Sequence, residues 1–234
     1  PNNNACTDLS PYLHFGMISA ATIITRTLHH TKLDLETVLA YDRTTPIQPT
    51  IHRSQLELHA VASLLEELIV RKELADNFCY FNSNYDSLAG APNWAKQTLA
   101  KHQSDHRLAT YTLDELTHAK TADPAWNAAQ TQLVKTGKLH GYLRMYWAKQ
   151  LLLWTPDAET AIQTAISLND HYSLDGGDPN GYVGVLWSLA GLHDRPWQER
   201  PIFGTIRTMT STGLARKFNL EAYQQHWSPA QEPA

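Results

Sequence analysis

The chain of 234 residues has only two cysteines, Cys6 and Cys79, and they lie far apart in the sequence. Their number and spacing exclude a disulfide framework and a zinc site built on cysteine pairs. The apolar stretch 183–192 is much shorter than the ~20 residues that a membrane-spanning helix needs. The twelve histidines form no His-Glu-x-x-His pattern, so we expect no metal site.

Positive charge is also scarce. The chain carries 19 lysines and arginines against 23 aspartates and glutamates, a formal net charge of −4. This balance excludes a protein that coats nucleic acid through charge alone. The segment 195–217 differs, because it holds five basic residues against one acid, Glu199. Two interpretations of this segment stay open, a solvated surface and a local patch that binds phosphates.

Apolar residues recur at steps of three and four along most of the chain, which is typical of amphipathic helices. The pattern is clearest in 52–76, where the residues that recur at these steps are Leu56, Ala60, Val61, Leu64, Leu65, Leu68 and Ile69. Proline near 124 and 156 marks two helix starts, since proline at the first helical position loses no hydrogen bond. We predict an all-α fold with one domain. Further helices are predicted near 17–30, 92–102, 113–119, 124–136, 157–170, 180–192 and 219–226, and one after Gly141.

The segment 167–197 concentrates polar and aromatic residues around a turn rich in glycine and proline. Its two asparagines, four aspartates and two tryptophans surround the turn from Asp175 to Gly181, and an apolar helical segment follows. Polar groups and aromatic faces on a loop between helices suit a planar, hydrogen-bonding ligand better than a simple core. We therefore predict a binding site here.

Together with LSPYLHFG at 9–16 and GYLRMYWAKQLLLW at 141–154, this segment resembles the flavin-binding domain of photolyases, and most closely that of the class II cyclobutane pyrimidine dimer photolyases. The resemblance implies that residues 1–227 form an all-α domain that binds FAD and carries catalysis. We expect the chain to be a piece of a longer protein, and this piece lacks the α/β antenna domain of the family. The antenna pigment is therefore unknown. The tail 228–234 is polar, and we expect it to be disordered.

The resemblance implies a pyrophosphate site around the first motif, with contacts from Thr7, Leu9 and Ser10. Ser10 followed by Pro11 also predicts a helix N-cap at Ser10 with proline at the first helical position. The free N–H groups of such a helix N-terminus bind phosphate well. Arg71 matches a family residue that approaches the flavin's phosphates.

For the flavin ring the resemblance implies Arg144, Asp175, Gly176 and Asn169. Arg144 and Asp175 would form a bidentate pair against the ring, and Asn169 would lie near its N5 atom. From the residues alone, Arg144 is equally an arginine that snorkels to the surface. Asn169 is equally the cap of a helix C-terminus.

The resemblance assigns lesion contacts to Glu67, Met145 and Trp187, and we expect Trp197 and Arg195 to border the same cavity. Other photolyase classes have tryptophan three residues after this acid, where this chain has valine. For Glu67 and Met145, ordinary structural interpretations compete with these assignments. Glu67 is spaced for a surface ion pair with the arginine four residues on, and Met145 could belong to the core.

Trp147 and Trp154 are seven residues apart and so share a helical face, and Trp126 on the preceding helix could stack beside Trp147. Stacking in a core is the ordinary role of such residues. The resemblance implies instead the electron-transfer chain of class II enzymes, with Trp147 nearest the flavin.

The resemblance implies a light-driven DNA repair enzyme, a deoxyribodipyrimidine photolyase with reduced FAD that splits pyrimidine dimers in UV-damaged DNA. The enzyme would be an intracellular monomer with no membrane association, in the cytoplasm or nucleoid of a prokaryote or in the nucleus or an organelle of a eukaryote. One alternative is a cryptochrome-like photosensor without repair activity. Another is a helical nucleic-acid-binding module that has lost its flavin.

Overall fold

The computed structural model describes residues 2, 6–42, 44 and 52–228. Regular structure in these ranges is helical throughout, and they contain no strand beyond one isolated antiparallel bridge between Arg200 and Gly204. The prediction of an all-α fold is therefore confirmed. The tail predicted at 228–234 lies outside the described residues after Ser228.

The chain divides into two compact units, Asp8–Phe78 and Cys79–Ala234, with Pro1–Thr7 belonging to the second. The first unit holds α1 (Ser10–His14), α2 (Ala20–Thr31), α3 (Leu35–Ala40), α4 (Arg53–Leu65), a π-helical segment (Glu66–Arg71) and the start of α5 (Lys72–Phe81). Its core is built on Val38, Val61, Ala62 and Leu65. Because α4, the π-helical segment and α5 follow one another without a break, they form one long helix with a wider turn in its middle.

The second unit contains the remaining helices. In chain order they are a 3₁₀ turn (Leu88–Gly90), α6 (Asn93–Lys101), α7 (Leu113–Thr117), α8 (Pro124–Thr136), α9 (Gly141–Trp154), α10 (Ala158–Tyr172), α11 (Pro179–Ala190), α12 (Ser211–Ala215) and α13 (Leu220–Trp227). Helix α9 packs against α8, α10 and α11. Every side chain from Tyr146 to Leu152 is buried, including the polar Lys149 and Gln150, so this part of α9 is enclosed on all sides.

Local capping explains where the best predicted helices begin and end. Asp123 accepts hydrogen bonds from the backbone N–H groups of Ala125 and Trp126, and Gly137 ends α8 in the left-handed conformation. Asp157 and Asp178 cap α10 and α11 in the same manner. These signals lie within a few residues of the helix ends, which is why the sequence predicts α8, α10 and α11 to within two residues.

Candidate functional site

Three tryptophans form a buried array between α8 and α9. The rings of Trp126 and Trp147 lie parallel, with centroids 6.2 Å apart and an interplanar angle of 5°. Trp154 meets Trp126 edge-on at 5.4 Å. The predicted stacking of Trp126 beside Trp147 is confirmed, and Trp126 is the ring between the other two.

Hydrogen bonds fix the orientation of the first two indoles. The indole N–H of Trp126 donates to the backbone carbonyl of Trp147 (2.9 Å), and that of Trp147 donates to Oε1 of Gln130 (2.8 Å). Gln130 is itself fully buried on α8. Since both acceptors are neutral amide oxygens, neither indole has a strong base as its direct partner.

Tyr111 extends the array and was not among the residues that the sequence indicated. Its ring meets Trp154 edge-on, with centroids 5.3 Å apart, and its hydroxyl oxygen accepts a hydrogen bond from the backbone N–H of Ala122 (2.9 Å). Tyr111 is half-buried, so the row of aromatic rings runs from the buried Trp147 toward the surface. It lies on a loop, where sequence periodicity carries no signal for such a contact.

A second group of polar residues lies where α9 meets the C-terminal end of α10. A guanidinium N–H of Arg144 donates to Oδ1 of Asn169 (3.1 Å), which also accepts from the Ser173 hydroxyl (3.1 Å). The same guanidinium nitrogen is 3.9 Å from a carboxylate oxygen of Asp175. The expected bidentate pair of Arg144 with Asp175 is therefore wrong, because the arginine's hydrogen bond goes to Asn169 and only one long charge contact reaches Asp175.

Asn169 is almost fully buried and lies inside α10, whose C-cap is Ser173. The alternative that Asn169 caps this helix is wrong for that reason. Its amide nitrogen donates to Asp170 (3.0 Å), and a Cβ on Gly181 would lie 2.9 Å from that nitrogen. The asparagine is thus held by partners on both amide atoms and needs glycine beside it.

The turn that carries Asp175 is held to α10 by Asp170. This carboxylate accepts from the Gly177 backbone N–H (3.0 Å) and from the Tyr182 hydroxyl (3.0 Å). Burial, reinforced by the charge of Asp170, raises the pKa of Tyr182 to about 12. Gly176 packs so closely that a Cβ there would lie 2.3 Å from the backbone oxygen of Asp170. The turn therefore has a fixed place against α10.

Basic and aromatic side chains meet on the loop after α11. The guanidinium carbons of Arg195 and Arg207 lie 5.2 and 4.8 Å from the ring centroid of Trp197. The indole N–H of Trp197 donates to Asp194 (3.1 Å), and the ring is 38% exposed. Two cations and an accessible indole together suit a nucleic-acid backbone and its bases.

A buried lysine lies behind this loop. The ammonium group of Lys149 on α9 donates to the backbone carbonyl of Ser188 on α11 (2.5 Å). Burial lowers the pKa of Lys149 to about 7, while the charge of Asp194 opposes that shift and the charge of Arg207 adds to it. The sequence alone could not identify this residue, because a lysine inside an amphipathic pattern is usually exposed.

In the first unit, the π-helical segment determines which charges pair. Arg71 forms an ion pair with Glu66 at 3.4 Å, five residues earlier, and not with Glu67 as a regular helix would predict. A π-helix bonds each residue to the fifth one on, so residues five apart come onto one face. Glu67 is exposed on another face, as is Val70.

The start of α1 also differs from the prediction. Leu9 already has helical backbone angles and occupies the N-cap position, so Ser10 is the first helical residue and Pro11 the second. No side chain caps this helix. The predicted cap at Ser10 is wrong, because the helical conformation begins one residue earlier.

Comparison with known proteins found no matching family model. It did find curated relatives over nearly the whole chain. The chain is 46% identical over 230 residues to a deoxyribodipyrimidine photo-lyase of Potorous tridactylus, which covers 98% of this chain and 39% of the relative. It is 48% identical over 219 residues to the deoxyribodipyrimidine photo-lyase of Oryza sativa subsp. japonica, covering 94% of this chain and 39% of the relative. An archaeal relative from Methanothermobacter thermautotrophicus, with the same name, is 43% identical over 223 residues, covering 95% of this chain and 44% of the relative.

The chain belongs to the photolyase family. It spans about two fifths of the length of the curated relatives that it matches. The photolyase resemblance seen in the sequence is thereby confirmed, and the all-α fold agrees with it.

The remaining site residues suggested by the photolyase resemblance are divided between the two units. In the second unit, Met145 on α9 and Trp187 on α11 are half-buried, and Thr7 is exposed. Leu9, half-buried, Ser10, exposed, Glu67 and Arg71 belong to the first unit. Their roles toward flavin and lesion stay predictions.

Within the described ranges, no cluster of histidine, cysteine, aspartate and glutamate is arranged to hold a metal ion. In the same ranges, no helix has both the length and the apolar character needed to cross a membrane.

Proposed function

We propose that residues 1–227 form the FAD-binding catalytic domain of a class II deoxyribodipyrimidine photolyase, a light-driven enzyme that splits cyclobutane pyrimidine dimers in DNA. The observation that carries this proposal is the buried row of Trp147, Trp126 and Trp154 in a chain of this family. Indoles at contact distance, shielded from water, suit the transfer of single electrons to a flavin that has absorbed light.

The polar residues near the C-terminal end of α10 suit the flavin ring. Arg144 offers N–H donors, Asp175 a carboxylate, and Asn169 a buried amide that can present either oxygen or nitrogen. Such a donor and acceptor set matches the polar edge of an isoalloxazine ring. Reduced FAD, when bound, would supply the electron that opens the dimer and would take it back afterwards.

The three tryptophans would restore the reduced state of the cofactor. Trp147 would give up one electron first, Trp126 would refill Trp147, and Trp154 would refill Trp126, following the order in which their rings touch. A reductant in solution, such as a thiol, would then re-reduce Trp154. Tyr111 lies next in this row and is half-exposed. Each transfer moves the positive charge toward the surface, which favours separation over direct return.

Damaged DNA would be bound in two ways, by side chains that contact the dimer and by arginines that contact the neighbouring phosphates. A dimer inside a duplex must be turned out of the stack before it can enter a pocket, and a lesion lowers the cost because it stacks and pairs poorly. Trp187 would stack on the dimer, Glu67 and Met145 would contact it, and Arg195 with Arg207 would hold neighbouring phosphates.

The proposal is tested by counting intact thymine dimers in an oligonucleotide after incubation with flavin-loaded protein in light and in darkness. Loss of dimers in light alone is the expected result. If the dimers persist although the flavin is still reduced by light, repair is refuted and the chain is a photosensor. If the folded protein holds no flavin, the helical DNA-binding module becomes the better interpretation.

Electron transfer through the row of tryptophans is tested by Trp147→Phe. We expect light to reduce the oxidised flavin far more slowly in this variant, while repair by chemically reduced protein stays near normal. Trp94→Phe is the matched control, since Trp94 packs against Gly191 and lies on α6 rather than on α8 or α9. Normal photoreduction of the flavin in Trp147→Phe would refute electron transfer through these tryptophans.

A further inference from the structure

His102, at the C-terminal end of α6, bridges two carboxylates. Its Nδ1 atom is 2.7 Å from Oδ2 of Asp105, and its Nε2 atom is 2.8 Å from Oε1 of Glu199. The imidazole is largely buried, with 14% of the side chain exposed. Asp105 lies three residues away along the chain, whereas Glu199 belongs to the loop that follows Trp197.

This geometry requires the doubly protonated imidazole. Ionised carboxylates only accept hydrogen bonds, so both ring nitrogens must donate. In the neutral ring one nitrogen would face a carboxylate oxygen with a lone pair, and that contact would be lost. The same reasoning explains why the hydrogen bonds that His102 donates to Glu199 and, second, to Asp105 raise the pKa of His102.

The loop 197–206 depends on these contacts. Ile202 has a backbone φ of 66°, which is unfavourable for a β-branched residue, and its N–H donates to the Asp105 carboxylate (2.7 Å). The loop closes on itself through the N–H of Trp197, which donates to the carbonyl of Thr205 (2.8 Å). The Thr205 N–H in turn donates to the Thr98 hydroxyl on α6 (3.0 Å). A strained loop of this kind keeps its shape only while its surroundings hold it.

We propose that His102 is a positioning residue for DNA binding. As an imidazolium it holds the loop 197–206 against α6, through Glu199 directly and through Asp105 to Ile202. It thereby fixes Trp197 beside Arg195 and Arg207, the cluster assigned above to damaged DNA. This inference rests on the proposed function, because that function gives the cluster its ligand.

The proposal sets the direction of a pH effect. We call the contacts of the His102 imidazolium with Asp105 and Glu199 the latch. The pKa of His102 is raised in the folded protein, so the latch is complete below the ordinary histidine pKa and is lost as pH rises through the raised value. Other charged residues also act on Glu199 and Asp105, the two partners of His102. Lys101 binds Glu199 at 2.6 Å, and the charge of Arg107 acts on Asp105. Lys149 titrates near Asp194 and Arg207, so a variant of His102 is needed to separate the two effects.

The first experiment measures the dissociation constant of flavin-loaded protein for an oligonucleotide with one thymine dimer, in darkness and at fixed ionic strength, from about pH 6 to about pH 9.5. The wild type, His102→Gln and His118→Gln are compared. His118 is a suitable control, because its carboxylate partner Asp114 lies in its own helix. Circular dichroism confirms that each variant is folded.

We expect His102→Gln to bind about threefold to fivefold more weakly than the wild type below pH ~7, the scale of an ion pair to a half-exposed carboxylate. The difference should vanish at the alkaline end, and His118→Gln should follow the wild type throughout. A His102→Gln profile parallel to that of the wild type over the whole range would overturn the positioning role.

A second measurement needs no DNA. In protein labelled at the histidine Cε1 carbon, the imidazole of His102 should titrate with a midpoint above the ordinary value of about 6.5, and Glu199→Gln should lower that midpoint. A midpoint at or below that value would overturn the latch. If the latch titrates as expected but the wild type binds no dimer at any pH, the proposed function fails and the positioning role fails with it.

Discussion

Replacing Gly176 by alanine should loosen the turn that carries Asp175. The added Cβ would lie 2.3 Å from the backbone oxygen of Asp170 and 2.8 Å from its Cα atom, and both are main-chain atoms of α10 that cannot rotate away. The turn must therefore lift, which strains the bonds from Gly176 N–H to the Ser173 carbonyl (3.0 Å) and from Gly177 N–H to Asp170 (3.0 Å).

The size of the effect follows from overpacking. Inserting a methyl group where the backbone must move costs about 1–3 kcal/mol. For a protein of this length each kcal/mol lowers Tm by about 2–4 °C, so a loss of about 4–8 °C is expected for a cost of about 2 kcal/mol. Because Asp175 moves with the turn, the variant should also release its flavin more readily than the wild type.

Gly184 provides the matched control. It lies inside α11, and a Cβ added there would have no atom within 4 Å, so alanine meets open space. Gly184→Ala should raise the free energy of unfolding by about 0.5–1 kcal/mol, since alanine loses less conformational entropy than glycine in a helix. Urea unfolding and the fraction of flavin that survives gel filtration measure both effects. Wild-type stability and flavin retention in Gly176→Ala would refute this reasoning.

Three further predictions follow from single contacts. Trp187→Ala should weaken binding to dimer-containing DNA by about 1–3 kcal/mol, the usual scale of base stacking. Unchanged affinity would show that Trp187 does not stack on the lesion. Asp123→Ala should destabilise the fold by about 2–4 kcal/mol, because it removes the cap of α8 and the partner of the Tyr146 hydroxyl; chemical denaturation checks this. His140 caps α9 as an acceptor and its pKa is lowered by burial, so stability should fall as pH drops below the ordinary histidine pKa. His140→Asn keeps a cap and should flatten that slope; an unchanged slope in the variant would contradict the assignment.

Much of the fold could be predicted because helix boundaries are set by nearby residues. Asp123, Pro124 and Gly137 specify both ends of α8 within its own sequence. The short helices α3 and α12 were not predicted, since each has only one turn or little more and shows no measurable period. The π-helical segment was also missed, because its residues are compatible with an ordinary helix and only packing selects the wider turn.

The site was predicted unevenly for a related reason. The spacing of Trp147 and Trp154 gave their common face, but the central place of Trp126 and the contact with Tyr111 depend on how α8 and the preceding loop pack on α9. The partner of Arg144 was misjudged, since Asn169 and Asp175 are both near it and only side-chain geometry decides between them.

The sequence by itself determined the all-helical fold, the caps of its longer helices, the family and the identity of the chemical groups that could serve a flavin and DNA. These properties depend on local hydrogen bonds and on patterns within a few residues. Only the tertiary structure decided that Arg71 pairs with Glu66, that Asn169 is buried between Arg144 and Asp170, and that His102 bridges to Glu199. The Arg71–Glu66 pair needs a change of helix type, whereas the contacts of Asn169 with Arg144 and of His102 with Glu199 join residues far apart in the chain. Their geometry is fixed by close packing, which leaves each buried polar atom only the partners that its neighbours supply.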